Sequence, residues 1–150
     1  GDAKIGSIVG GTARDGRRLK EKFLSNTPSL RSLRERVGVS ASRGYVFGLD
    51  RRRVYVRSEH SALNTLLQSA GAIVMKKALC LLDEYASAWN IDYKFIGNIH
   101  DEIQTEVREE EAEVFGRLAV SCIEASGQHY KLNCPLSGEY KIGNNWSETH

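Results

Sequence analysis

Three observations predict an α+β fold. Apolar residues recur at helical spacing between residues 13 and 37. A longer stretch, from about Glu59 to Asn90, keeps that spacing throughout. Two short runs of period-two alternation then flank Asn98-Ile99-His100-Asp101-Glu102-Ile103-Gln104. Helices come first and a mixed piece follows. The chain thus reads as a helical, basic N-terminal part, one long buried helix and a small antiparallel sheet.

Gly10-Gly11 breaks a short apolar start of Ile5, Ile8 and Val9. Residues 13 to 25 form a basic amphipathic helix with Leu19 and Phe23 on one face. Thr27-Pro28 marks the next helix start, Thr as N-cap and Pro in the first turn. Leu30, Leu33 and Val37 continue that helix, and Gly38 to Gly44 reads as a loop. Tyr45-Val46-Phe47 and Val54-Tyr55-Val56 flank Gly48-Leu49-Asp50-Arg51 as a short hairpin. In the long stretch, Leu63, Leu66, Leu67, Ala70, Ile73, Val74, Ala78, Leu81, Leu82, Tyr85 and Trp89 predict a heavily buried helix. After the acidic segment, Glu109-Glu110-Glu111 opens another helix, where the dipole favours negative charge. Val114, Phe115, Leu118, Cys122 and Ala125 form its buried face, and Gly127 ends it. Leu136 to Trp146 reads as a short strand among glycine turns.

The net charge of +2 hides a split. Residues 1–57 carry fourteen Lys and Arg against five Asp and Glu, or +9; residues 58–150 carry seven against fourteen, or −7. Arg14, Arg17, Arg18, Lys20, Lys22, Arg31, Arg34, Arg36, Arg43, Arg51, Arg52, Arg53 and Arg57 make the first part Arg-rich. Such asymmetry points to a polyanion partner, because Arg pairs bidentately with phosphate. The composition is that of a soluble globular protein. No apolar run is expected to span a membrane, and no leader suggests secretion. A start without Met reads as processed or excised. Cys80, Cys122 and Cys134 have no zinc-type spacing and read as free, buried thiols in a reducing compartment.

Two groups of residues carry candidate chemistry. Asp101 and Glu102 sit in a tight turn between strands, where hard oxygen donors suit a divalent cation. Asp and Glu are also ordinary turn residues. His60, Asn64 and Gln68 follow one another at i, i+4 and share a helix face. Their amides could donate to minor-groove acceptors without reading sequence. They equally suit hydrogen bonds to neighbouring backbone.

Together, in this order and spacing, the segments resemble the C-terminal part of family A DNA polymerases, the DNA polymerase I family, and look closest to replicative enzymes of short-tailed phages. The resemblance covers essentially the whole chain. Gly48-Leu49-Asp50 through Arg57-Ser58 is similar to the stretch before the family's long palm helix. His60 to Ala72 is similar to that helix. Ile99-His100-Asp101-Glu102 resembles motif C, and Gly143-Asn144-Asn145-Trp146 with His150 resembles the family's C-terminus. Arg51 stands where relatives commonly carry Gly.

The resemblance implies roles. Asp101 would ligate catalytic Mg²⁺, and Glu102 would support that site or join it. His100 would lie near the primer terminus. Asn64 and Gln68, with His60 and Arg57, would contact DNA. Residues 1–57 would be a basic part of the fingers plus a short hairpin, and 58–150 the C-terminal palm. The reaction would be template-directed nucleotidyl transfer on primer-template DNA with a dNTP. Motif A, with its metal-binding Asp, and motif B are absent. The two-metal site would need an Asp from an upstream chain, and this chain alone would be inactive, whether a split-gene half or an excised fragment. The resemblance leaves a processivity factor open as a partner and implies no membrane. It places the protein in a cytoplasm, the host's if phage-encoded. A non-catalytic nucleic-acid-binding module on the same palm is the competing reading.

Overall fold

The computed structural model describes residues 1–149. His150 therefore lies outside the described residues. The chain divides into two compact units, Gly1–Val46 with Tyr55–Thr65, and Phe47–Val54 with Leu66–His150.

In the first unit, α1 (Asp2–Ile8) packs on α2 (Ala13–Asn26). A Cβ at Gly6 would overlap the Thr12 carbonyl, and one at Gly16 the Asp2 carbonyl, so both positions require the missing side chain. Thr12 and Asp15 form a reciprocal capping box at the start of α2. Leu19 and Phe23 share a face of α2 as expected but are exposed.

Helix α3 (Pro28–Ala41) opens on Pro28 with Thr27 at its N-cap position, as expected, but the Thr27 side chain makes no capping hydrogen bond. Its hydroxyl donates backwards to the Phe23 carbonyl at 2.7 Å and so serves the end of α2. The expected loop from Gly38 is also not there. Val37 and Ala41, one turn apart, are both buried and carry the helix past Gly38. That burial outweighs the cost of about 1 kcal/mol for an interior glycine. The chain turns at Gly44 instead, at φ 82°.

β1 (Tyr45–Phe47) and β2 (Arg53–Tyr55) pair into a two-stranded sheet. In their connection, Arg51 sits at φ 65°, a conformation glycine adopts without cost. Asp50 stabilises the turn by accepting from the Arg52 backbone at 3.2 Å and from its Nε at 2.6 Å.

A single 3₁₀ turn, Glu59–Ser61, leads into α4 (Ala62–Ala88). In the second unit, Ile73, Val74, Met75, Ala78, Leu82 and Ala86 of α4 are buried, but Leu67, Tyr85 and Trp89 are exposed. The helix is thus less buried than its periodicity predicts. By length and composition, Glu59–Ala88 is apolar enough to cross a membrane, contrary to expectation; 28% of its most apolar window is buried within the chain. The residues that raise its hydropathy include those that pack the core. Asn90, at φ 57°, ends the helix: Ile91 N–H donates to the Ala86 carbonyl and Asn90 N–H to that of Ser87, each at 3.0 Å.

The core of this unit is Leu82, Ala86, Phe115, Leu118 and Cys122, with Ile91, Tyr93, Phe95, Ile103 and Val107 packed against it. It joins the end of α4, the hairpin of β3 (Tyr93–Ile99) and β4 (Glu102–Val107), and α5 (Glu109–His129). Val114, expected inside, is exposed. Gly127 does not end α5. It is buried because Leu136 packs where its side chain would be. The helix stops two residues beyond it, with Lys131 at φ 52° and Leu132 N–H bonded to the Gly127 carbonyl.

Among the described residues, the tail has no strand between Leu136 and Trp146; it ends in α6 (Trp146–Thr149). Tyr140 lies over Gly116 and donates to Glu113 at 2.7 Å. These side-chain contacts anchor the tail to α5 without a sheet partner. Of the three thiols expected to be buried, only Cys122 is. Cys80 and Cys134 are exposed because neither belongs to a core-facing stripe. Burial pushes the Cys122 thiol up.

Candidate functional site

β3 and β4 are joined by only two residues, His100 and Asp101, with Ile99 paired to Glu102. So short a hairpin turn needs a positive φ, and His100 supplies it at 57°. A non-glycine residue there is held by its surroundings at some cost in backbone energy.

The register explains which side chains meet. A bulge at Ile96 sets Phe95 opposite Thr105 and Gly97 opposite Gln104. A regular ladder back from a two-residue turn would set Phe95 opposite Glu106. The bulge removes that conflict and turns Tyr93, Phe95, Thr105 and Val107 to one face. The extra residue, Ile96, is 65% exposed. On the opposite face, Glu102 and Gln104 are neighbours at i, i+2.

The base of the hairpin is fixed. The Tyr93 ring contacts Phe95 and Phe115, with centroids 5.1 and 5.5 Å apart. Its hydroxyl donates to Asp83 Oδ1 at 2.6 Å. Burial, and then that hydrogen bond, raise the Tyr93 pKa. Arg108 and Asp92 close the open end with an ion pair of 2.9 Å.

At the tip, Asp101 is exposed and has no hydrogen bond or ion pair among the described residues. Glu102 is half-buried and accepts a hydrogen bond from Gln104 Nε2. The Thr149 hydroxyl of α6 donates to the Trp146 carbonyl at 3.1 Å and lies 3.4 Å from Gln104 Oε1. His100, Asp101 and Glu102 are thus brought together on one turn. The donors fit part of a site for a hard cation: oxygen ligands, one of them unpartnered and solvent-facing. They do not complete one. Among the described residues, no three His, Cys, Asp or Glu side chains form a group able to hold a metal.

Arg57 and His60 precede α4, Asn64 lies in its first turn and Gln68 one turn further; all four are exposed. Neither amide has a hydrogen-bond partner among the described residues. The alternative of amides satisfied by neighbouring backbone is therefore not how they sit.

Tyr93, Gln104 and Thr149 were not singled out from sequence. Gln104 had a signal, its i, i+2 spacing from Glu102 on a strand. Thr149 had none, because its contact spans 45 residues.

Comparison with known proteins places the chain in a family. Residues 2–148 match DNA polymerase family A, and the chain belongs to that family. Over its full length it is 40% identical to the DNA-directed DNA polymerase of Enterobacteria phage T3 and 39% identical to that of Escherichia phage T7, covering 24% of each. It is 27% identical to DNA polymerase I of Pseudomonas aeruginosa over 87% of its length. The chain therefore spans about a quarter of the phage relatives it matches. Its fold resembles the POL domain of Pol1 from M. smegmatis, solved in complex with DNA primer-template and dNTP. The TM-score is 0.72 at 19% identity, over 83% of this chain and 24% of that one.

Proposed function

We propose that this chain supplies the motif C carboxylates and minor-groove contacts of a DNA-directed DNA polymerase, and that it catalyses nucleotidyl transfer only with upstream segments bearing motifs A and B. The observation that carries this reading is the unpartnered Asp101 carboxylate on a two-residue turn, in a chain of this family. Residues 1–57 would belong to the fingers and 58–150 to the palm.

The reaction is attack of a primer 3′-hydroxyl on a nucleotide α-phosphate. When bound, Mg²⁺ supplies activation of that hydroxyl and stabilisation of the pyrophosphate leaving group. Asp101 offers a direct carboxylate ligand. Glu102 supports it from the adjoining strand, and His100 lies toward the primer terminus. Asn64 and Gln68 donate NH₂ groups to minor-groove acceptors, which every base pair presents, so they sense pair geometry rather than sequence. Arg57 and the exposed arginines of α3 take phosphate.

The test is Mg²⁺-dependent primer extension by this chain alone and then with the upstream segments. Extension only in the mixture is expected. Robust extension by the pure chain alone would overturn the dependence on a partner. The +9 charge of residues 1–57 also favours a binding-only module. Such a module would hold duplex DNA with steep salt dependence and no need of Mg²⁺.

A further inference from the structure

The β1–β2 sheet presents a face that the proposed reaction does not use. The Gly44 carbonyl accepts from Val56 N–H, and the Arg52 carbonyl from Gly48 N–H, each at 2.9 Å. This antiparallel register sets Tyr45 directly across from Tyr55, between bonded pairs, where facing side chains come closest. Val46 and Val56, the residues that follow them, are buried. Side chains alternate along a strand, so both tyrosines lie on the other face. Tyr55 is 76% exposed and Tyr45 half-buried. Arg57 follows Tyr55 by two residues, on a chain still bonded at Val56, and is exposed as well. All three residues belong to the first unit.

The surrounding charge selects an anion. Residues 43–57 hold five arginines and one acid, Asp50, which is already paired with Arg52. A tyrosine ring adds what a phosphate alone does not use, a flat π face. Nucleic acids offer both phosphates and flat rings. In a duplex the bases stack on one another and their faces are out of reach. Only unpaired bases can be splayed onto an aromatic side chain, and sheet faces bearing aromatics hold single strands in this way. Arginine suits the phosphates between those bases.

We propose that the Tyr45–Tyr55 face, with Arg57, is a stacking site for the unpaired bases of a single strand. It rests on the polymerase reading in one respect: the single strand such an enzyme meets is template not yet copied. It needs neither the metal nor the hairpin carboxylates.

The experiment measures binding by fluorescence anisotropy, without Mg²⁺, on the polymerase assembled from this chain and its upstream segments. The probes are a primer-template with a thymine overhang on the template strand, the same duplex with blunt ends, and the same overhang made abasic. Tyr55→Ala should weaken binding of the thymine overhang about 10-fold. It should leave the blunt duplex unchanged and have no effect on the abasic overhang. Tyr55→Trp keeps a ring and should bind like wild type. Equal losses on overhang and blunt duplex, or no loss on the overhang, overturn the inference. A protein segment covering Tyr55 would give another pattern: Tyr55→Ala would weaken assembly of the two parts and leave overhang affinity unchanged, which also overturns it. Primer extension on the same preparations separates the two readings. A Tyr55→Ala enzyme that extends primers and holds the overhang as tightly as wild type would leave the polymerase reading standing and end this one. Ring-dependent overhang binding by a wild-type assembly that extends no primer would do the reverse.

Discussion

In the unit that carries the acidic hairpin, Leu82, Ala86, Phe115, Leu118 and Cys122 close into an apolar cluster, and the hairpin packs its inner face on it. The N-terminal unit is held differently. Its first two helices meet through Gly6 and Gly16 and are tied by Lys20 and Asp2 at 2.7 Å. Arg31, Arg34 and Arg36 of α3 are exposed, with no ion pair among the described residues. The contrast fits the two tasks proposed for this chain. A carboxylate proposed to meet a metal within tenths of an ångström would need a stiff base. A surface proposed to meet phosphates would need exposed, unpaired cations.

The largest effect is expected at the hairpin tip. In the assembled polymerase, Asp101→Asn should lower kcat by at least about 10²–10³-fold, the scale of removing one preorganised charge-stabilising group. DNA affinity should hold, because Asp101 makes no hydrogen bond or ion pair among the described residues. Single-turnover extension and duplex-binding assays check both halves. Near wild-type copying would remove Asp101 from the metal site.

Next comes the base on which the tip stands. Leu82 of α4 is fully buried in the cluster with Phe115, Leu118 and Cys122 of α5. Leu82→Ala should cost about 2–5 kcal/mol, the range for a buried leucine that leaves a cavity. Denaturant unfolding of the chain measures it. A loss well below that range would mean that the cluster is not the stiff base that the hairpin requires.

A smaller effect sharpens the other side of the contrast. Arg31 and Arg34 lie at i, i+3, on one side of α3. Replacing both with Ala should reduce the slope of log affinity against log salt by about 0.9 for each phosphate the protein no longer neutralises. Stability should change little, since neither residue holds another. Anisotropy titrations with duplex DNA across a salt series would show the change. An unchanged slope would take α3 out of the phosphate-binding surface.

The order and type of the main elements were legible in the sequence, because long amphipathic periods and period-two runs report burial directly. Where local detail differed, it did so for local reasons. Thr27 and Pro28 do open α3, but the Thr27 hydroxyl bonds back to the preceding helix. Gly127 looked like a stop, but its missing side chain made room for Leu136. The bulge at Ile96 left a trace that a pairing rule can read. Across a two-residue turn, the apolar set Tyr93, Phe95, Gly97 is one residue out of phase with Ile103, Thr105, Val107, so one strand must carry an extra residue. Asp101 and Glu102 were legible as a pair of carboxylates in a turn. The need for a further donor followed from the resemblance, and among the described residues no third His, Cys, Asp or Glu joins them in a group able to hold a metal. Leu67, Tyr85 and Trp89 carried the helical period, yet the described chain leaves them uncovered.

The smallest effect concerns acid. Glu113 accepts from Tyr140 at 2.7 Å and from Arg117 at 2.9 Å, and these bonds, Tyr140 first, hold its carboxyl below its ordinary value of 4.5. Asp2 in the basic unit is lowered likewise, chiefly by its bond from Lys20. A carboxylate lowered on folding contributes stability above its unfolded pKa. That contribution is lost as pH falls through the folded value. Glu113 is exposed and Asp2 partly so, and each contribution is modest. Thermal unfolding between pH 7 and pH 3 should therefore show the difference between wild type and Glu113→Gln shrinking as the solution acidifies, and the same for Asp2→Asn. The comparison predicts which shrinks more. Around Glu113 the apolar cluster holds α5 at any pH, whereas the α1–α2 pair has Asp2 as its principal charged tie. Asp2→Asn should therefore move more than Glu113→Gln. A difference that stays constant with pH for Asp2→Asn would mean that the glycine contacts alone hold the pair, and that charge does not distinguish the two units.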